Sequence, residues 1–196
     1  MVRMASEFHV PADVPDDLVD TYVENMMEAT AGSGSMNLFA CDQKIEHLND
    51  DFYDGNKKIP LSSNDPGHLF EIGLACHEAG TIGVLAGQLG LISKYARDAP
   101  DVPYVVKLNS KSGLVKTAQR DPVSMAMWDL DDVMGLIHNG INVVGIGYTV
   151  YLGSEYEHDM LTEAASVISR AHELGLISGV WMYPRGQADC DDLGTH

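Results

Sequence analysis

Five short apolar runs recur along the chain, and each leads into polar residues at its end. They occupy positions 37–42, 82–86, 104–108, 142–146 and 177–186. Runs of this length, bounded by glycine and polar residues, are typical of buried strands. Because they are continuous rather than alternating, they indicate parallel strands that are covered on both faces. The last run is of strand type and ends abruptly in Pro-Arg-Gly.

Segments with helical spacing separate these strands. Apolar residues recur three and four positions apart in the segments 17–30, 65–80, 91–97, 129–140 and 161–175. The second segment opens with Asp65-Pro66, a pair that favours a helix start. Alternating strands and helices predict an α/β fold with a parallel sheet. Five such units fit either a doubly wound sheet or the first five units of a (β/α)8 barrel of about 250 residues.

The same spacing predicts which helix residues face the sheet. For the segment 65–80 the expected inner residues are Leu69, Ile72, Gly73 and Cys76. For the segment 161–175 they are Leu161, Ala164, Ala165 and Ile168.

Polar residues accumulate where the strands end. They are Asp42, Gln88, Asn109, Thr149 and Tyr183. In α/β folds the carboxyl edge of the sheet is where binding and catalysis take place. Side chains alternate along a strand, so Trp181, Tyr183 and Arg185 are expected to project to the same side. The pattern therefore predicts a functional site at this edge.

Charge and composition argue against several classes of function. The 196 residues include 29 acidic and 12 basic side chains, giving a formal charge of −17. That charge argues against nucleic acid and anionic membranes as partners. Cys41, Cys76 and Cys190 form no CxxC pair and predict reduced thiols, with neither a disulfide framework nor a zinc site. No apolar run reaches the length of a membrane span, and the polar N-terminus does not resemble a signal peptide, so we expect a cytoplasmic protein.

Several residues have both a functional and a structural interpretation. Asp42 could cap the loop after its strand, and Tyr183 could be a core tyrosine bonded to the backbone. Lys107 lies inside an apolar strand and is, from the sequence alone, the best candidate for a nucleophilic lysine. His47 could bind substrate or pair with Glu46. No second His or Cys stands at ligand spacing, so no metal is expected.

Four segments resemble those of a known family. They are Cys-Asp-Gln-Lys-Ile-Glu-His at 41–47, Val-Lys-Leu-Asn at 106–109, Gly-Tyr-Thr-Val-Tyr-Leu-Gly-Ser at 147–154 and Val-Trp-Met-Tyr-Pro-Arg-Gly at 180–186. In this order, and at strand ends, they resemble the archaeal-type class I fructose-bisphosphate aldolases. That family consists of TIM (β/α)8 barrels and includes the aldol-type synthases of archaeal aromatic amino-acid biosynthesis. The resemblance favours the barrel over the doubly wound sheet.

The resemblance implies proton-transfer roles for two residues. Asp42 matches the family's first-strand aspartate, which assists proton transfers while the Schiff base forms and breaks. Tyr183 matches the tyrosine of the Tyr-Pro-Arg-Gly motif, the main general acid/base in carbon–carbon bond cleavage. The Asp-His pair usual after the first strand is Asp42-Gln43 here, which weakens any role for an imidazole at that position.

Substrate-binding residues follow from the same resemblance. Trp181 matches a substrate-contacting tryptophan, and Arg185 occupies the position of the motif's arginine. Lys107 is expected to have a supporting electrostatic or substrate-binding role, and His47 is a further candidate for substrate binding on its own sequence position. The family reserves Schiff-base formation for a lysine on strand six, so Lys107 is not expected to form the imine.

The position of that lysine shapes the expectation for the whole chain. In the family it lies about thirty residues beyond the tyrosine, on the next barrel strand, whereas this chain ends thirteen residues after Tyr183. We therefore expect the amino-terminal part of an aldolase that cannot run the family reaction alone. Its predicted parts are a leader and helix over 1–36, a partial barrel over 37–186 and a polar tail over 187–196.

The resemblance implies a lyase of glycolysis and gluconeogenesis. It would cleave fructose 1,6-bisphosphate reversibly to dihydroxyacetone phosphate and glyceraldehyde 3-phosphate. The imine acts as the electron sink, so neither metal nor other cofactor is expected, and the full-length enzyme is expected to be a homo-oligomer. The alternatives are an aldol/transaldol synthase of archaeal aromatic amino-acid biosynthesis and a non-catalytic fragment.

Overall fold

The computed structural model describes residues 8–42, 65–110 and 121–186. These residues form strands β1 (Leu38–Ala40), β2 (Val84–Gln88), β3 (Tyr104–Lys107), β4 (Val143–Leu152) and β5 (Ile177–Pro184). They form helices α1 (Val19–Ala29), α2 (Pro66–Glu78), α3 (Leu89–Tyr95), α4 (Leu130–His138) and α5 (Glu157–His172), with 3-10 turns at Asp16–Leu18 and Ala96–Asp98. The predicted alternation of strands and helices is confirmed. Within the described ranges, no helix is both long enough and apolar enough to cross a membrane.

The order of the strands decides between the two predicted folds. The sheet runs β1-β2-β3-β4-β5, and all four pairings are parallel. A doubly wound sheet reverses direction at a switch point, so that strand order departs from sequence order. A (β/α)8 barrel adds each new strand beside the previous one. The described residues therefore form five consecutive strands of a (β/α)8 barrel, with the four helices that connect them.

Side chains that alternate along the strands build two apolar cores. The outer core lies between the sheet and the helices and includes Phe70, Leu85, Ile92, Tyr104, Val106, Val133, Ile146, Tyr148 and Met160. The inner core lies on the other face of the sheet and includes Tyr22, Val84, Ala86, Val105, Val144 and Ile177. Burial on both faces holds for β2, β3 and β4 and is the reason that these strands appear in the sequence as continuous apolar runs. In β5, by contrast, Val180 is 39% and Met182 51% exposed.

Helix α1 covers the amino-terminal ends of the strands. Asn25 Nδ2 donates to the carbonyl oxygen of Gly175, two residues before β5, over 2.8 Å. Glu28 Oε2 accepts a hydrogen bond of 2.6 Å from Asn142, the residue before β4. Since this end of the sheet is occupied by α1, the opposite, carboxyl edge is the one left for a functional site.

Two helices begin at well-formed caps. Asp65 Oδ1 accepts from the backbone N–H groups of Gly67 and His68 over 2.9 and 3.3 Å, as the Asp-Pro pair predicts. Asp129 and Asp132 form a reciprocal capping box at the start of α4, with bonds of 3.0 and 3.2 Å. A cap of this kind contributes about 1 kcal/mol to stability.

The predicted inner residues of two helices are partly wrong. In α5 the buried positions include Met160 and Ala164, whereas Leu161 is 38% exposed. In α2 Phe70 is buried and Ile72 is 38% exposed. Where two neighbouring positions are both apolar, the helical period does not decide which of them faces the sheet.

Strand β4 is longer than the run 142–146 predicts. It continues to Leu152, because residues 148–152 pair with β5 up to Pro184. The extension brings Thr149 and Tyr151 into the sheet, directly beside the functional end of β5.

Candidate active site

The register of the first three strands places three polar side chains at one level of the inner face. Ala40 pairs with Ala86 and Gln88 pairs with Lys107, so Asp42, two residues beyond Ala40, lies at the level of Gln88 and Lys107. All three are almost sealed from solvent, with exposures of 5% for Asp42, 1% for Gln88 and 5% for Lys107. Buried polar groups need partners, and these three provide them to one another.

One carboxylate oxygen joins the three side chains. Lys107 Nζ lies 3.3 Å from Asp42 Oδ2 and forms an ion pair with it. Gln88 Nε2 donates to the same oxygen over 3.0 Å. The ammonium group compensates the negative charge of a carboxylate that water hardly reaches. The arrangement holds a single carboxylate, fixed through one of its oxygens, at the carboxyl edge of the barrel.

An indole ring covers the amine of this cluster. The Nζ atom of Lys107 lies 5.2 Å from the ring centroid of Trp181, within the range of a cation–π contact. The ring reaches this place across Gly147, where a Cβ atom would lie 2.3 Å from Cζ3 of Trp181. Gly147 is also the register partner of Lys107 on β4. The missing side chain at 147 therefore makes the space in which the indole lies.

A second pair of groups lies farther along β5. Tyr183 is two residues beyond Trp181 and stacks on Tyr151 of β4, with ring centroids 6.0 Å apart and planes at 27°. The guanidinium carbon of Arg185 lies 4.7 Å from the centroid of the Tyr183 ring. Tyr183 and Arg185 are both partly exposed. A phenol and a cation are thus presented together at the mouth of the barrel.

The Pro-Arg-Gly turn after β5 requires its glycine. The backbone N–H of Gly186 donates to the carbonyl oxygen of Leu152 over 2.9 Å. A Cβ atom at 186 would lie 1.7 Å from the carbonyl carbon of Gly153. The chain can turn against the end of β4 only without a side chain here, and this turn fixes the position of Arg185.

Asn109 has a structural role at this edge. It is fully buried, and its Oδ1 accepts from the backbone N–H of Thr149 over 2.8 Å. Its Nδ2 donates to the carbonyl oxygens of Thr149 and Ser124 over 2.8 and 2.9 Å. Because two of these bonds reach Thr149 of β4 and the third reaches Ser124, Asn109 ties the residues after β3 to β4 and supports the site without reaching into it.

Cys41 lies next to Asp42 in the chain and faces the other way, into the outer core. Its thiol donates to the carbonyl oxygen of Ala86 over 3.2 Å. Burial, aided by the negative charge of Asp42, raises the pKa of Cys41 to about 12. The thiolate is the nucleophilic form of cysteine, so Cys41 is not a nucleophile at neutral pH.

The structure brings the predicted site residues together in two groups. The first contains Asp42, Lys107 and Trp181, and the second contains Tyr183 and Arg185. Trp181 packs against the inner core, whereas Tyr183 packs against the outer core and stacks on Tyr151. That Trp181, Tyr183 and Arg185 project to the same side stays a prediction. His47 lies outside the described residues. The catalytic and binding roles of all these residues stay predictions.

Two contributors to the site were not predicted to act there. Gln88 was recognisable only as a polar residue at a strand end, and its contact with Asp42 depends on the register between β1 and β2. Gly147 was recognisable only as one glycine of a strand. Its structural role depends on which side chain of the neighbouring strand packs across it.

A family pattern and a sequence relative match most of the chain. The pattern of the DeoC/LacD family aldolase matches residues 36–193. A relative from Methanocaldococcus jannaschii, named fructose-bisphosphate aldolase/6-deoxy-5-ketofructose 1-phosphate synthase, is 47% identical over 188 residues, which are 95% of this chain and 58% of the relative.

Two solved structures share the fold. A fructose-bisphosphate aldolase from Slackia heliotrinireducens superposes with a TM-score of 0.85 at 53% identity, over 97% of this chain and 58% of that one. An archaeal fructose-1,6-bisphosphate aldolase, solved with its catalytic lysine covalently bound to the carbinolamine intermediate of the substrate, gives a TM-score of 0.64 at 30% identity, over 84% of this chain and 58% of that one. The chain thus spans 58% of the length of each of these three proteins.

Proposed function

The chain belongs to the DeoC/LacD aldolase family, and we propose that it carries the proton-transfer groups of a class I fructose-bisphosphate aldolase. The reaction is the reversible cleavage of fructose 1,6-bisphosphate to dihydroxyacetone phosphate and glyceraldehyde 3-phosphate through a Schiff base. The observation that carries the proposal is the buried contact of Asp42 with Lys107 beneath Trp181, at the same barrel edge as Tyr183.

Asp42 is proposed to move protons while the imine forms and breaks. Condensation of an amine with a ketose gives a carbinolamine, which loses water only if a nearby group supplies a proton to the hydroxyl. A carboxylate fixed at the carboxyl edge of the barrel can take the proton that the amine releases as it adds to the carbonyl. It can then give that proton to the hydroxyl as water leaves. Lys107 and Gln88 both contact Oδ2 of Asp42, so Oδ1 takes no part in these two contacts.

Tyr183 is proposed to accept the hydroxyl proton as the carbon–carbon bond breaks. The bond can break only if the hydroxyl of the departing aldehyde loses its proton, and the imine takes up the electron pair. Arg185 lies over the Tyr183 ring, at the mouth of the barrel. A guanidinium group is well suited to bind a phosphate through two parallel hydrogen bonds, so Arg185 is proposed to hold one phosphate of the sugar.

Lys107 is proposed to bind and to balance charge rather than to form the imine. An ammonium group paired with a carboxylate has no lone pair with which to attack a carbonyl. The family resemblance assigns the imine-forming lysine to the strand that follows β5. The archaeal structure with a covalently bound catalytic lysine supports a Schiff-base route for the family.

A second candidate uses the same imine to build a sugar. The Methanocaldococcus jannaschii relative is named both as an aldolase and as a 6-deoxy-5-ketofructose 1-phosphate synthase. Synthesis of a deoxyketose phosphate needs the same Schiff base and the same proton transfers, with a different aldehyde as the acceptor. The residues described here fit both reactions.

A chimaera tests the proposal directly. Residues 1–186 of this chain would be joined to the part of the Methanocaldococcus jannaschii relative that follows its own counterpart of Gly186. Cleavage of fructose 1,6-bisphosphate would be followed by a coupled assay of the triose phosphate products. We expect turnover, and we expect Tyr183→Phe to lower it by a factor of about 10² while imine formation persists.

The outcomes separate the two candidates. A folded chimaera that makes a deoxyketose phosphate but does not cleave fructose 1,6-bisphosphate favours the second candidate. A folded chimaera that acts on no ketose phosphate contradicts both, and unchanged turnover in Tyr183→Phe removes the role proposed for the tyrosine.

A further inference from the structure

Gln88 is the one neutral side chain in the buried cluster around Asp42. It is the last residue of β2, is 1% exposed and points into the inner face of the barrel. Its amide Nε2 donates to Asp42 Oδ2 over 3.0 Å, beside the Lys107 ammonium at 3.3 Å. Burying an amide costs free energy unless its polar atoms find partners, and the Asp42 carboxylate is one such partner of Gln88.

The direction of the hydrogen bond has a chemical consequence. Because a glutamine amide nitrogen only donates, it stabilises the ionised form of the carboxylate and fixes which oxygen it contacts. Two donors on Oδ2 orient the group so that Oδ1 is the oxygen presented for proton transfer. The lysine alone would not achieve this, since an ammonium is a rotating point charge without a preferred plane.

We propose that Gln88 is a positioning residue, which holds the Asp42 carboxylate in the orientation that proton transfer requires. The inference rests on the proposed function for its catalytic consequence, but the contact itself can be tested separately. Gln88 touches no substrate in this account; it acts through Asp42. The register of β1 against β2, which places residue 42 beside residue 88, makes the contact a property of the barrel rather than of a flexible loop.

Three substitutions separate positioning from packing. Gln88→Met keeps the length of the side chain and removes the donor. Gln88→Glu keeps the shape and replaces the donor by a carboxylate, which donates again only when it is protonated. Leu85→Val is the matched control, because Leu85 is equally buried in the same strand but faces the outer core.

The first experiment uses this chain alone and does not need activity. The sequence contains four glutamines, so 15N-glutamine labelling gives a short set of side-chain amide signals, and the Gln88 signal is the one that Gln88→Met removes. We expect this signal to move on Asp42→Asn and to stay in place in Leu85→Val. If the Gln88 amide signal does not move in Asp42→Asn, the proposal is overturned, regardless of the turnover measured in the chimaera.

The second experiment measures turnover in the chimaera. We expect Gln88→Met to lower kcat by about tenfold or more with KM nearly unchanged, because a hydrogen bond to a charged group is lost while the substrate contacts remain. We expect Gln88→Glu to be impaired at neutral pH and to recover part of its kcat relative to wild type in mild acid. Leu85→Val should leave kcat and the pH profile unchanged. A responsive amide combined with a wild-type kcat in Gln88→Met would show a structural contact without positioning, and would also overturn the proposal.

Discussion

A methyl group at position 147 should displace the tryptophan of the site. In the native structure the Trp181 ring lies across Gly147, and a Cβ atom there would stand 2.3 Å from Cζ3 and 2.9 Å from Cη2. Ordinary contact begins at 3.4 Å, so Gly147→Ala requires the ring or the strand to retreat by about 1.1 Å (3.4 − 2.3 Å). The indole would then leave its place over the Lys107 amine, which is now 5.2 Å from its centroid.

Two opposing terms set the size of the effect. Forcing an extra methyl group into a packed interior destabilises by about 1–3 kcal/mol. Replacing glycine also removes freedom from the unfolded chain, which stabilises by about 0.4–1 kcal/mol. We therefore expect Gly147→Ala to lower the free energy of unfolding by about 1–2 kcal/mol. With a urea dependence of about 2 kcal/mol per molar, the unfolding midpoint falls by about 0.5–1 M.

Tryptophan emission and urea unfolding report the two consequences together. The chain contains two tryptophans, so the measurement uses a Trp128→Phe background in which Trp181 is the only emitter. Gly147→Ala should shift the emission of Trp181 to longer wavelength, because a displaced ring meets more water.

Gly135→Ala is the matched control for this prediction. Gly135 lies inside α4, and a Cβ atom there meets nothing within 4 Å. The same chemical change should raise stability there by about 0.5–1 kcal/mol and leave the emission unaltered. The reasoning about Gly147 is refuted if Gly147→Ala matches wild type in both unfolding midpoint and emission maximum.

Three further predictions concern groups around the site and at the far end of the barrel. With a pKa raised to about 12, Cys41 should resist alkylation at pH 8 while the partly exposed Cys76 reacts, as peptide mapping after timed iodoacetamide treatment would show; equal rates would contradict the burial of Cys41. The hydrogen bond from His172 lowers the pKa of Asp13, so its contribution to stability is present above pH 3.8 and is lost as the pH falls through the lower, folded-state pKa. Urea unfolding should accordingly show a smaller acid loss in Asp13→Asn, and parallel pH profiles would rule this out. Asn109→Ala removes three buried hydrogen bonds and should lower the free energy of unfolding by about 2–4 kcal/mol in the same assay, whereas a loss under 1 kcal/mol would mean that these bonds do not hold β3 to β4.

Local pattern accounts for much of this fold. Strands β2, β3 and β4 could be predicted because a strand buried on both faces must be apolar throughout. The start of α2 was predictable from Asp65-Pro66, because aspartate caps a helix and proline is tolerated at its first position. The strand order, by contrast, followed from the family resemblance rather than from the pattern, since periodicity alone fitted two folds.

The sequence did not predict the contacts that depend on strand register or on which face of a helix packs against the sheet. Leu161 and Met160 are neighbours of similar hydrophobicity, and only packing against β4 decides that Met160 is the buried one. The contact of Gln88 with Asp42 depends on the register of β1 against β2. The need for glycine at position 147 depends on the Trp181 ring, which packs against it from β5. In each case the decisive neighbour lies on another element, which no local pattern specifies.

Borohydride trapping shows which lysine forms the imine. Dihydroxyacetone phosphate would be added to the chimaera described above, the mixture reduced with borohydride, and the modified lysine located by peptide mass spectrometry. We expect one stable adduct, on the lysine of the strand that follows β5, with Lys107 unmodified in its ion pair with Asp42. A stoichiometric adduct on Lys107 would contradict this expectation.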